Sequence, residues 1–241
     1  MSVMRVIKSS LGRAWTVLRI EGPVALLRRA IGFGLFLGRG VYSQRDLYLY
    51  RHRLVERDRS LYLPRLETYE SRIVETDEQA DQLAADGYED LRQRFIGTTG
   101  SLSSGAVAVC VFVDKRLAHV GWLATDARGK PHADPFPFDV AFDDGEACTG
   151  GTYTMPEFRG KGLMAYGYYE RFEYLRKKGF RFTRNSVETH NVSSHRAHAK
   201  FSPEILGTAH FKRVLWWSSW SEHPFPDGPL IGMPPATDRQ A

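Results

Sequence analysis

Residues 150–172 read GGTYTMPEFRGKGLMAYGYYERF. The stretch predicts a strand, a tight turn at Arg159-Gly160-Lys161-Gly162, and then a helix. Glycines in such a turn let the backbone bend sharply and come close to a ligand. The first N–H groups of the following helix lack partners in the helix, and its dipole places partial positive charge there. Arg159 and Lys161 add full charges. The combination suits an anion, above all a phosphate or pyrophosphate. It is not a Walker loop: the first glycine would fall at Met155, and Gly162 stands where Ser or Thr is required.

Working outward, residues 146–155 predict a strand ended by Pro156, where a ladder donor is missing. The helix runs over 163–178, with Gly179 as its stop. A strand over 181–189 and a helix over 191–199 follow, broken by Ser202-Pro203, and 210–217 predicts a last long strand. Upstream, AVAVCVFV at 106–113 is a β-rich apolar run, and 117–125 returns from it as the second arm of a hairpin. The proline-rich segment 126–139 is a long loop that either covers an acceptor site or runs idle over the surface. Strands are expected at 46–56 and 71–76. Asp77 is the expected N-cap of a helix over 78–85, Gly87 ends it, and a short helix over 88–95 follows.

Composition bounds the rest. The chain has 241 residues, 42% hydrophobic and 25% charged, enough for one sizeable core and an appendage. The net charge of +5 is unevenly spread: residues 1–53 hold ten Lys and Arg against Glu21 and Asp46, so the remainder is net negative. Cys110 and Cys148 sit in apolar strands and read as buried free thiols in a reducing compartment.

The order strand, RGKG turn, helix, strand, Asn-led helix resembles the GCN5-related N-acetyltransferase (GNAT) superfamily over roughly residues 71–217. Pro156–Leu163, Val187–Asn191, Ser194 and Lys200 carry the likeness. Arg159 and Gly162 fit the family's R/Q-x-x-G-x-G/A motif, while Met164 replaces its final small residue and Ala165 follows. The resemblance implies an α+β fold, a mixed and mostly antiparallel sheet flanked by helices. It implies acetyl-CoA as acyl donor, with no metal. Coenzyme-binding positions carried over are Tyr153, Thr154, Met155, Arg159, Gly160, Lys161, Gly162, Leu163, Met164 and Asn191, with the strand at 153–155 pairing with the pantetheine arm. A backbone N–H on strand 150–155 would polarise the thioester carbonyl. The family's proton-donating Tyr is His198 here, Lys200 matches its usual base, and Ser202 replaces its usual Gly. Candidate bases are Glu188 and Glu146, with His190 a weaker third. His190, His195 and His198 lack the Cys or acid spacing of a metal centre.

The domain reading is a basic amphipathic helical segment at 1–40, a GNAT-like domain at 41–220 and a loose Pro-rich tail at 221–241. In the first segment Val3, Ile7, Leu11, Ala14 and Leu18 recur at helical spacing with basic residues mostly off that line. A second helix starts at Pro23, and the apolar run 30–38 is too short to span a bilayer. Three readings stand: an anionic membrane surface, packing on its own domain or in a homodimer, or a targeting peptide. The expected function is an N-acyltransferase acting on an amine. An amino sugar or a lipid-linked precursor would suit a cytoplasmic enzyme peripheral to the membrane's inner face. An acidic acyl carrier protein docking on Arg28, Arg29 and Arg39 is a further donor candidate. A non-catalytic coenzyme A-binding module and a membrane-binding scaffold are the alternatives. Trp216, Trp217 and Trp220 read as core and pocket wall rather than a nucleic-acid platform.

Overall fold

The computed structural model describes residues 42–94 and 100–234. The helices expected at 1–40 lie outside the described residues. Strand β1 (Tyr42–Arg53) is followed by a 3-10 turn at Arg59–Tyr62, β2 (Glu70–Val74), α1 (Asp77–Ala85) and α2 (Leu91–Arg94). The hairpin β3 (Ala106–Val113) and β4 (Arg116–Ala124) leads through a short α3 (Lys130–Ala133) into β5 (Glu146–Thr154). Then come α4 (Leu163–Lys177), β6 (Phe182–Glu188), α5 (Val192–Ala199), β7 (Glu204–Val214), β8 (Trp217–Pro224) and β9 (Leu230–Ile231). The strands form one sheet in the order β2-β3-β4-β5-β6-β1-β7-β8, with β9 on β7. This is the expected mixed sheet. β5 and β6 pair in parallel because α4 carries the chain back between them, whereas β2–β3, β3–β4, β4–β5 and β1–β6 are antiparallel.

The chain divides into a large unit, residues 46–210 with 220–241, and a small one, residues 1–45 with Phe211–Ser219. The large unit's core lies along the middle strands. β3 is buried from Ala106 through Phe112, as its unbroken apolar run requires. Tyr166, Leu163 and Leu175 of α4 are buried with it, as are both cysteines. Burial pushes the Cys110 thiol up to about 12 and Cys148 well above its ordinary value.

Several boundaries differ from expectation. The cap of α1 is Thr76, not Asp77: its Oγ1 accepts from the Gln79 amide at 3.3 Å, and Gln79 reaches back to the Glu75 amide at 2.7 Å. The segment 126–139 is not all loop, since it holds α3. The single strand expected at 210–217 is two strands turning at Leu215-Trp216. Its apolar run hid the turn, which Leu215 makes at φ +57 without the usual glycine or asparagine. The indoles expected inside are partly outside, with Trp216 90% exposed. The tail is not wholly loose either, because Leu230 and Ile231 pair with Ile205 and Glu204. Ser202 has φ +48, the region where glycine is cheapest.

Candidate functional site

The site begins where two strands part. β5 pairs with β6 only over Glu146–Cys148 against Phe182–Arg184. Beyond that point β5 stays on β4, with Thr154 opposite His119, while β6 stays on β1, with Glu188 opposite Leu47. A groove opens between the diverging ends. It has an outer cavity of about 700 Å³ and an inner one of about 210 Å³ that share Thr152, Met164 and Asn191.

The outer cavity is basic. Arg65, Arg159, Arg196 and Lys200 line it, and none of its lining residues is acidic. Gly160 sits at φ +76, and a Cβ there would meet nothing within 4 Å, so the backbone lies open to a ligand. Gly162 at φ +85 is the N-cap of α4 and supplies no side-chain cap, which leaves the helix's first N–H groups to an outside acceptor. Arg65 fixes the turn: its Nη2 donates to the Gly160 carbonyl at 2.7 Å and its backbone N–H to the Lys161 carbonyl at 2.8 Å. Sequence reasoning missed Arg65, which lies before the stretch carrying the resemblance; nothing local marks it.

The other predicted coenzyme positions fall as follows. Tyr153, Thr154, Leu163 and Met164 line the cavity. Lys161 places its ammonium 5.5 Å from the Phe158 ring centroid and does not line it. Met155 is buried, and its N–H donates to Ala118. Asn191 caps α5, its Oδ1 accepting from the Ser194 amide at 3.1 Å, and also lines both cavities.

The inner cavity is built on a bulge. Tyr153 faces Val120 but Gly150 faces Trp122, so Gly151 and Thr152 together oppose Gly121. Gly151 takes φ +50, and a Cβ on it would stand 2.8 Å from the Trp122 ring. Arg171 of α4 lies beneath, wholly buried; its Nη1 donates to the carbonyls of Trp122 at 3.3 Å and Gly150 at 3.2 Å. A Cβ on Gly121 would collide with that guanidinium. The peptide is planar and trans, so turning the Gly150 carbonyl toward Arg171 turns the Gly151 N–H the opposite way.

Asp134 closes this cavity from the end of α3. It is 3% exposed; its Oδ2 accepts from the Ser186 amide at 3.0 Å and hydroxyl at 2.7 Å, and its Oδ1 from the Phe136 amide at 3.1 Å. Burial pushes its carboxyl up to about 6, against the downward pull of those bonds. Glu188 lines the same cavity, its Oε2 3.1 Å from His190 Nε2. Tyr168 lines it too, and Trp220 stacks on Phe136, another wall residue. Asp134 gave one sequence signal, its place in the long proline-rich loop, but only the packing of Ala133 on Gly150 brings it to the strand.

Two of the three predicted catalytic residues lie elsewhere. Glu146 lines a separate cavity of about 420 Å³ with Arg181 and Arg184, accepting from the Ala141 amide and standing 3.6 Å from Arg184. His198 is fully buried, bonded to His52 at 2.8 Å and Asn185 at 3.3 Å, and burial holds its pKa well below the usual histidine value. A neutral imidazole enclosed in that way lacks the acidic proton of an imidazolium. Tyr168, with its ring 4.3 Å from that of His198, is the neighbour that reaches the groove. Among the described residues no group of three or more His, Cys, Asp or Glu is placed to hold a metal ion.

No protein-family model and no curated protein matches this sequence. Solved structures of GNAT proteins do align with it. One, described as an acetyltransferase from the GNAT family of Novosphingobium aromaticivorans, aligns at 15% identity and a TM-score of 0.46, over 70% of this chain and 65% of that one. A GCN5-related N-acetyltransferase from Kribbella flavida aligns at 16% identity and 0.38, over 74% and 62%. The glucosamine N-acetyltransferase region of a fungal multi-domain β-N-acetylglucosaminidase aligns at 13% and 0.47, over 77% of this chain and 22% of that chain. The chain thus spans less than two thirds of the length of each of these three. Likeness at this level leaves the chemistry to the groove itself.

Proposed function

We propose that the chain is a coenzyme A-dependent N-acyltransferase that acetylates an amine. The observation that carries this reading is the groove between β5 and β6, basic at one end and acidic at the other. Its outer end fits a pyrophosphate: an open glycine turn, an uncapped helix N-terminus and four cationic side chains meet there. Past Cys148, the edge of β5 that faces the groove is free of β6, as an amide-bearing arm would require.

Acetyl-CoA would bring an activated thioester. The chain's own residues do the rest. The Gly151 N–H, aimed by the Arg171 bonds, is the donor for developing negative charge on the carbonyl oxygen. Glu188 draws in the acceptor's ammonium. Asp134, raised to about 6 and so ionised at neutral pH, takes the amine's proton. Tyr168, which lines the cavity, offers a hydroxyl for the leaving side. The short reach and acidic lining favour a compact cationic acceptor, and an amino sugar is our leading candidate.

Calorimetry of the full chain with acetyl-CoA tests the first half. Micromolar binding that Arg159→Ala and Arg196→Ala each weaken about tenfold is expected. Absence of binding at millimolar acetyl-CoA would sink the reading. Thiol release over a panel of amino sugars, polyamines and amino acids tests the second half. Binding without release from any amine would point instead to a non-catalytic coenzyme-binding module.

A further inference from the structure

The exposed indoles of the β7–β8 turn have no place in the groove chemistry. Val214, Leu215, Trp216 and Trp217 are 36%, 47%, 90% and 55% exposed, four consecutive large apolar residues at the tip of a hairpin. Water-facing hairpin turns favour Asn-Gly or Asp-Gly. Here Leu215 occupies the left-handed region at φ +57, a poor conformation for a branched apolar residue, and the next side chain stands almost fully in solvent. Lys212 and Arg213 precede the tip, and no acid occurs from Phe211 through Ser219.

The division of charge says what the tip meets. The described residues of the small unit, 42–45 and Phe211–Ser219, hold Arg45, Lys212 and Arg213 and no acid. The large unit has fewer bases than acids. Around the exposed apolar tip the described charge is therefore all positive. Tryptophan prefers the boundary between headgroups and acyl chains, where its ring is buried and its N–H stays wet. Basic residues beside such a ring are drawn to anionic headgroups, each contributing while it lies within a Debye length of the surface. A protein partner would cover the indoles equally well, but it gives no reason for a tip flanked by bases and free of acids. Among the described residues no helix is long and apolar enough to cross a membrane, so an attachment made here is made at the interface.

We propose that the β7–β8 tip is a membrane anchor: Leu215, Trp216 and Trp217 enter the interface of an anionic bilayer while Lys212 and Arg213 pair with its headgroups. The proposal is independent of the acyltransferase reading and stands if the groove proves inert.

Flotation of the full chain with phosphatidylcholine vesicles, with and without phosphatidylglycerol, tests it. Recovery is expected only with the anionic lipid, falling as salt rises. Trp216→Ser combined with Trp217→Ser is expected to weaken binding about tenfold or more, with an unchanged circular dichroism spectrum and melting temperature. Brominated lipid should quench the tryptophan emission of the natural protein more strongly than that of this double variant. Lys212→Gln with Arg213→Gln is expected to weaken binding to the anionic vesicles alone. Equal recovery of the natural protein and the tryptophan variant would overturn the proposal, as would no recovery at all. So would a dimer, seen by light scattering, that the tryptophan variant dissociates without any vesicle binding.

Discussion

Asp134 and Arg171 are each buried beside Gly150; Arg171 bonds the carbonyls of Gly150 and Trp122, and Asp134 bonds Ser186 and the Phe136 amide. Asp134→Asn keeps the shape of the side chain but loses the proton acceptor. We expect kcat for amine acetylation to fall by at least ~100-fold, and the acidic limb of the kcat/KM profile near about pH 6 to vanish with it. Glu188→Gln is expected to raise KM for a cationic acceptor more than it lowers kcat, which steady-state kinetics would separate. Arg171 makes its bonds to carbonyls, and Tyr168 is its principal electrostatic partner, the guanidinium lying 4.0 Å from that ring. A buried cation so placed is costly unless it positions something, and the bulge is what it touches. Gly151→Ala tests that region from the other side. With φ +50 and the Trp122 ring 2.8 Å away, an added methyl should cost on the order of 1–3 kcal/mol in a urea melt. Cys110 and Cys148, buried with raised pKa values, should stay unreactive toward a thiol reagent until the chain unfolds.

At the scale of elements, α5 shows one residue serving two ends. Asn191 was legible as a helix start, because Asn precedes a helical pattern that Ser202-Pro203 ends. It caps the Ser194 amide and also lines both halves of the groove. Asn191→Ala should lose about 1 kcal/mol of stability with the cap. Asn191→Asp keeps a capping oxygen, so its melting temperature should hold while acetyl-CoA affinity drops, since a negative charge then faces the anion's cavity. If calorimetry finds both variants binding as the natural protein does, Asn191 is a cap and nothing more. The turn before α4 was equally legible: glycines at the two positions with φ +76 and +85 are required by the backbone, and the sequence supplies them. The β7–β8 turn was not legible, because its residues are those of a strand and Leu215 turns against its own preference.

For the whole molecule, four buried imidazoles, His52, His119, His195 and His198, set the response to pH. Burial lowers His52 and His119 to about 3, His198 well below its ordinary value, and His195 below it as well. Below about 6.5, and down to about 3 for His52 and His119, the unfolded chain binds protons at these sites that the folded chain does not, so stability falls as pH falls through that window. Asp134 works the other way. Its folded pKa is raised to about 6, so protonation there relieves the native state as pH drops below that value. Four groups outweigh one. Urea midpoints should fall steadily from pH 7.5 to pH 5, with a limiting slope near 1.4 kcal/mol per pH unit for each imidazole. A midpoint that rose on acidification would mean that these histidines are charged or solvated in the folded chain.

The sequence by itself determined the local elements of the groove. Apolar runs made the β3–β4 hairpin, glycines made the RGKG turn, and Asn191 started α5, because propensity and periodicity act over a few residues. It also fixed where the charge lies. Tertiary structure alone decided which acid faces the groove, since that depends on pairing across long separations. The parting of β5 from β6 after Cys148 exposes Glu188 and leaves Glu146 at the closed end, and the packing of Ala133 on Gly150 delivers Asp134. His198 looked available in its helix, but β1 lays His52 against it and seals it in the core.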